Sequence, residues 1–256
     1  MNDFVIQFEQ VTKTYTLCSH VSGGIKTFLF HLPDAIRQLR NNRFTALDSV
    51  SFAVAAGESL GVIGPNGAGK STTLALIAKV LAPTAGRVTA RGRVLPLLEL
   101  GAGFHPELAG RENIVLNGVL MGLTRAEVFA RMDPIIEFSE LGPFIDQPVR
   151  TYSTGMLGRL GFSVVANLDP EVLLVDEVLT VGDMAFQAKC MARMRQFQTQ
   201  GVTMVFVSHD MHAVRTVCDR ALWLERGRVR MIGDSAAVTA AYEASQPAPA
   251  AAEAAQ

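Results

Sequence analysis

The sequence predicts an α/β fold in which a mostly parallel sheet is wrapped by helices, with a small antiparallel β part beside it. Three observations point there. Short apolar runs rich in branched residues, Ser59 to Ile63, Val172 to Val175 and Thr203 to Val207, each end at a chemically loaded residue. Helical patterns lie between them, after Lys70, from Arg111 to Gly122, from Arg125 to Ser139 and from Gly155 to Asn167. A glycine-rich segment joins the first run to the first helix. Strands that alternate with helices in this way pair in parallel, and the ligands of such sheets gather at the carboxyl ends of the strands. Two further β-like runs, Val5 to Phe8 and Val50 to Val54, flank a stretch from about Thr16 to Thr45 that reads as an insertion.

The glycine-rich segment is Gly64-Pro65-Asn66-Gly67-Ala68-Gly69-Lys70-Ser71, followed by Thr72, and it fits the pattern G-x-x-x-x-G-K-S/T. It follows the apolar run Leu60-Gly61-Val62-Ile63 and precedes an apolar helical stretch, which is the context that a phosphate-binding loop requires. Glycines let the backbone turn tightly and aim its N–H groups at phosphate oxygens, while the helix N-terminus adds partial positive charge. Lys70 is then placed for the β- and γ-phosphates and Ser71 for Mg²⁺. A four-position match of this kind arises by chance in on the order of one chain in a hundred of this length. By itself the loop fits ATPases, GTPases and small-molecule kinases alike.

The run Val172-Leu173-Leu174-Val175 ends in Asp176-Glu177. Adjacent side chains on a strand point to opposite faces, so the two acids take different parts. Asp176 is placed to organise Mg²⁺ and Glu177 to polarise an attacking water, if the strand end is more than a pair of solvated acids. Thr203 to Val207 ends in Ser208-His209-Asp210, where His209 can reach a γ-phosphate. Tyr152-Ser153-Thr154-Gly155-Met156 precedes an apolar helical run and, taken alone, is an ordinary capping sequence.

Bulk properties bound the partners. The 256 residues carry 23 basic and 24 acidic side chains, so no overall field favours nucleic acid or an anionic surface. Hydrophobic residues make up 49% and mean hydropathy is +0.25, high enough to suggest apolar surface kept for a partner, yet no run approaches the length of a spanning helix. Cys18, Cys190 and Cys218 are far apart without metal spacing and read as inert packing residues of a reducing compartment. The start, MNDFVIQFEQ, lacks a basic leader with an apolar core, so the cytoplasm is the expected address.

From about Phe4 to Gly233 the whole set resembles the nucleotide-binding subunit of ABC transporters. The resemblance implies a phosphate-loop NTPase of the ABC ATPase type, with a helical signature subdomain over about 98–168. It also implies a homodimer that sandwiches two ATP molecules and drives transmembrane permease subunits. In that family a signature, usually Leu-Ser-Gly-Gly-Gln, faces the phosphate loop of the other subunit. Here Ser153 and Gly155 match it, whereas Thr154 and Met156 depart from it. Asp183 carries over from a loop that links the two sites, Glu99 stands near the position of a missing metal-coupling glutamine, and Tyr15 matches an aromatic that stacks on adenine. A tyrosine packed at a strand end fits Tyr15 equally well.

Leu98-Glu99-Leu100-Gly101-Ala102-Gly103-Phe104-His105-Pro106-Glu107-Leu108, then Gly110-Arg111-Glu112-Asn113-Ile114, and the altered signature resemble the subfamily that exports lipid-linked polysaccharides such as O-antigen. That places the subunit on the cytoplasmic side of the inner membrane. Within the insertion, Ile25, Phe28, Leu29, Leu32, Ile36 and Leu39 fall at helical spacings, and Lys26, Arg37, Arg40 and Arg43 oppose only Asp34. Such a basic amphipathic element suits a membrane surface. The resemblance implies a short helix at this place against the transmembrane subunit, and the alternative is a helix packed on its own domain. The expected organisation is an ATP-binding domain over 1–234 and a C-terminal extension over 235–256, disordered toward its end and without a carbohydrate-binding domain.

Overall fold

The computed structural model describes residues 4–16, 43–97, 101, 103–176 and 182–246. A long antiparallel pair opens the chain, β1 (Phe4–Thr16) and β2 (Arg43–Ala55), and with β4 (Ala85–Ala90) it forms a three-stranded sheet in the order β2-β1-β4. The second sheet contains β3 (Ser59–Ile63), β5 (Val94–Leu97), β6 (Val172–Asp176), β7 (Thr203–Val207), β8 (Arg220–Glu225) and β9 (Arg228–Asp234) in the order β5-β6-β7-β3-β8-β9. Only the β8–β9 pairing is antiparallel.

Burial explains this architecture. Along β6, Val172 and Leu174 enter one core and Leu173 and Val175 the other, and β7 alternates in the same way through Met204, Val205, Phe206 and Val207. A strand covered on both faces reads as an unbroken apolar run because both sets of its side chains are buried. One core lies against the antiparallel sheet and α1 (Lys70–Ile77), through Phe8, Val50, Leu74 and Ile77. The other lies under the remaining helices, through Ile114, Phe162, Phe186 and Val214. At the sheet edge β5 carries Pro96, a position where a missing N–H costs no ladder bond.

The helices between β5 and β6 are α2 (Gly110–Leu120), α3 (Arg125–Ala130), α4 (Met132–Ser139) and α5 (Thr154–Ala166). The single pattern read from Arg125 to Ser139 is therefore two helices, broken at Arg131. Pro134 is the cause: its ring would meet the carbonyl four residues back, and it cannot donate to it. Then follow α6 (Met184–Thr199), α7 (Met211–Val217) and α8 (Ser235–Ser245). Helix α8 packs on β8, with Val238 and Thr239 fully buried and Tyr242 edge-on to Trp223 at 5.4 Å.

Strand β2 begins at Arg43, inside the stretch read as an insertion, because Arg43 and Phe44 pair with Thr16 and Tyr15 of β1. The amphipathic pattern before it, Cys18 and the last ten residues lie outside the described residues. Cys190 and Cys218 are buried, and loss of solvation pushes the Cys190 thiol up to about 12 and the Cys218 thiol upward as well. Among the described residues, no helix is long and apolar enough to cross a membrane.

Candidate nucleotide site

Strands β3, β6 and β7 run in parallel register and end at one edge, with Val62 of β3 and Asp176 of β6 both opposite Val207 of β7. The loop after β3 is thereby brought beside Asp176 and the turn after β7.

The loop is built around glycines held in left-handed backbone. Gly64 has φ +144, and a Cβ there would collide with the carbonyl oxygen of Leu224 on β8. Gly69 has φ +106 and lies under β2, where a Cβ would come within 2.6 Å of a Leu47 methyl and 2.7 Å of the Ala46 carbonyl oxygen. Both positions exclude larger residues by conformation and by space. Ala68, 2% exposed, donates its N–H to Pro65 and accepts from Gly227, so the loop is tied to the β8–β9 turn. Lys70 opens α1 and is buried, its ammonium donating to the carbonyl oxygens of Gly64 at 2.8 Å and Pro65 at 3.1 Å.

A cavity of about 410 Å³ opens over this loop. Asn66, Gly67, Gly69, Lys70, Ser71 and Thr72 line its floor, and Asp176 and His209 its far wall. His209 is exposed on a turn fixed from both sides. Asp210 donates its N–H to the Ser208 hydroxyl at 3.0 Å, and the Asp210 carboxylate caps α7 at His212 and Ala213.

The aromatic on the cavity wall is Phe44, 48% exposed, together with Ala46. Tyr15 is its cross-strand partner and turns its hydroxyl toward that of Thr72 at 3.5 Å, while the Lys13 ammonium lies 5.3 Å from its ring centre. Phe44 escaped the sequence reading because it falls in the stretch taken for an insertion; its signal is an aromatic two residues before the buried Ala46-Leu47 pair.

A larger, mostly apolar cavity of about 760 Å³ lies between β5, α2 and α5. Ser71 and Asp176 line both cavities, and Leu97 and Gly101, on either side of Glu99, line this one. Glu99 and Glu177 themselves lie outside the described residues. The Ser71 hydroxyl and the Asp176 carboxylate share the smaller cavity, and two hard oxygen donors beside a phosphate loop fit Mg²⁺, which takes one or two protein oxygens and completes its shell from phosphate and water.

Ser153 to Met156 stand elsewhere. Together with Arg159, Gly182 and Asp183 they line a separate cavity of about 640 Å³ that, among the described residues, shares none with the one over Lys70. Ser153 caps α5, its hydroxyl accepting from the Met156 N–H at 3.2 Å. Asp183 caps α6, accepting from Phe186 N–H at 2.9 Å, and that bond together with the Arg159 guanidinium holds its carboxyl below the ordinary range. The structure thus groups Lys70, Ser71, Asp176 and His209 in one place and the Ser153 segment with Asp183 in another.

A parallel sheet, a glycine loop wrapped over a buried lysine, and a hydroxyl and a carboxylate at its mouth define a phosphate-loop nucleotide-binding protein. A family model described as ABC transporter matches residues 47–180, and the chain belongs to that family. It is 53% identical to the O-antigen export system ATP-binding protein RfbB of Klebsiella pneumoniae, over 93% of this chain and 97% of the relative. It is 42% identical to the teichoic acids export ATP-binding protein TagH of Bacillus cereus, over 94% of this chain and 43% of that longer protein. Among solved structures, the dimeric post-hydrolysis state of an ATP-binding cassette bound to ADP and Pi superposes with a TM-score of 0.71 at 21% identity, covering 90% of this chain and 98% of that one. At that identity the likeness speaks for the fold.

Proposed function

We propose that this chain is the ATP-binding and ATP-hydrolysing subunit of a transporter that exports a lipid-linked polysaccharide such as O-antigen. It works as a homodimer on the cytoplasmic side of the membrane, bound to transmembrane permease subunits. The observation that carries the ATPase reading is the cavity in which Lys70, Ser71, Asp176 and His209 meet. The cargo rests on the 53% identity to an O-antigen export subunit over nearly the whole of both chains.

In this reading the loop N–H groups and Lys70 hold the β- and γ-phosphates of ATP, with the α1 N-terminus adding partial positive charge. Ser71 and Asp176 would hold Mg²⁺, which would supply positive charge against the phosphates. Glu177 takes the proton of the attacking water, and His209 keeps the γ-phosphate in register with it. The hydroxyl of Ser153 and the backbone donors of Thr154, Gly155 and Met156 complete the phosphate cage of the second copy. Phe44, with Tyr15 behind it, offers the base a face. Two incomplete sites per pair make hydrolysis conditional on closure, and reopening after it resets the permease.

Glu177→Gln tests the assignment. It should keep ATP binding while stopping turnover, and normal hydrolysis by that variant would remove Glu177 from the role of base. In the host, deletion of the gene should strand lipid-linked polysaccharide inside the cell. Rescue by Glu177→Gln, or an unchanged cell-surface glycan after deletion, would sink the transport reading.

A further inference from the structure

Arg159 lies on α5, six residues after Ser153, and its side chain is 19% exposed although it borders a cavity. Its guanidinium donates to Asp183 Oδ2 at 2.7 Å and to Glu140 Oε2 at 3.3 Å, and sits 4.9 Å from the ring centre of Phe186. These contacts reach two other parts of the chain. Asp183 and Phe186 belong to the first turn of α6, and Glu140 ends α4 in left-handed backbone at φ +56. Glu140 also accepts from Lys189 of α6 at 2.8 Å, so α4, α5 and α6 are knitted at one point. Gly182 belongs to the same fit, since a Cβ at its φ of +76 would come within 3.3 Å of Arg159 Nε.

Stability alone does not account for this arrangement. Asp183 is 63% exposed and already satisfied as a helix cap, and ion pairs with so open a partner add little to folding. A planar guanidinium with several donors in fixed directions does something an ammonium cannot: it sets the distance and angle between two elements. The elements here are the first turn of α5 and the segment entering α6, which line the same cavity.

We propose that Arg159 is a positioning residue for ATP hydrolysis, acting by holding Asp183 against the Ser153–Met156 turn so that a second copy meets both as one rigid surface. The proposal deepens the function argued above and rests on it. The strut governs closure of the composite site and leaves each copy's own hold on ATP to the Lys70 loop.

The test uses the full chain assembled with its permease, with ATP affinity read from a fluorescent ATP analogue and kcat and KM from phosphate release. Arg159→Met should keep affinity within about two-fold of wild type while kcat falls about ten-fold or more. Arg159→Lys should recover part of that loss, because charge returns without the planar fork. Asp183→Asn keeps a capping oxygen but loses its charge, and it should also lower kcat at unchanged affinity. The double variant should be no slower than the worse single one, since both substitutions cut one link. Wild-type kcat in Arg159→Met, parallel loss of affinity and kcat, or losses that multiply in the double variant would overturn the proposal. Should Arg159→Met fail to fold by circular dichroism, Arg159→Lys and Asp183→Asn decide alone, and wild-type kcat in both overturns it. A wild-type complex that releases no phosphate would instead refute the function on which the proposal stands.

Discussion

The Lys70 ammonium donates to the carbonyl oxygen of Gly64 at 2.8 Å, so the lysine is seated on the loop that it serves. With Lys70 only 8% exposed and its ammonium steered by backbone oxygens, the positive charge is already aimed before a phosphate enters. Lys70→Met keeps most of the buried volume and removes the charge. A lost charge-assisted contact of about 2 kcal/mol corresponds to roughly 30-fold weaker ATP binding. Titration calorimetry of wild type and variant reads this directly, and equal affinities would show that the loop N–H groups suffice.

Gly64 is constrained from outside the loop as well as by its own φ, because β8 crosses it at Leu224. Gly64→Ala should destabilise the fold by about 3 kcal/mol or more, since neither the strand nor the loop can retreat without losing register. For a chain of this size that corresponds to a fall of about 6–12 °C in Tm. Differential scanning fluorimetry would measure it, with Gly67→Ala as a comparison that meets no neighbouring atom.

Phe44 and Tyr15 occupy facing positions but differ in what they do. Phe44 presents its ring to the cavity, whereas Tyr15 reaches for Thr72 at the helix start. Phe44→Ala should weaken ATP binding by about 1 kcal/mol, roughly five-fold, as expected for a lost stacking face. Tyr15→Phe should change it less than two-fold, because a contact of 3.5 Å contributes little. Fluorescence titration of both variants would rank the two aromatics, and the opposite order would return Tyr15 to the base.

Glu127, Asp183 and Glu243 titrate below the ordinary carboxylate range, Glu127 through the N–H and hydroxyl of Thr124, Asp183 chiefly through the N–H of Phe186, and Glu243 through its bond to Arg215. A group whose pKa is depressed by folding stabilises the native state above its unfolded pKa and loses that contribution as pH falls through the folded one. Stability should therefore decline on acidification below the ordinary carboxylate values, between roughly pH 5 and pH 3. Glu243→Gln should shallow that decline when urea midpoints are plotted against pH, and an unchanged slope would assign the acid limb to other groups.

Where a local rule decided the outcome, the sequence was enough. Ser59–Ile63 and Thr203–Val207 are strands with the bounds read from their apolar runs, and the glycine loop sits between strand and helix as its spacing demands. Other elements depend on partners distant in sequence. Arg220–Glu225 and Arg228–Asp234 become strands because β3 offers an edge to β8, and the alternation in β9 is weak and only half-buried. Helix α6 buries Phe186, Cys190, Met194 and Phe197 at helical spacings, yet the polar residues between them dilute the signal. At the site, the residue types of Lys70, Ser71, Asp176 and His209 were legible from motif and strand end. The bond of Arg159 to Asp183 was not, because α5 and α6 are separated by a strand and only the folded chain brings them together.

Strands β1 and β2 remain paired as far as Thr16 and Arg43, so the chain that leaves one stem returns to the other within about 5 Å. For protein engineering this is a graft point. A two-residue turn could close the hairpin in place of residues 17–42 without shifting the register of either strand. Whatever is spliced there stands one residue from both Tyr15 and Phe44. A dye or a small reporter domain at that junction would thus sense the nucleotide cavity from its rim.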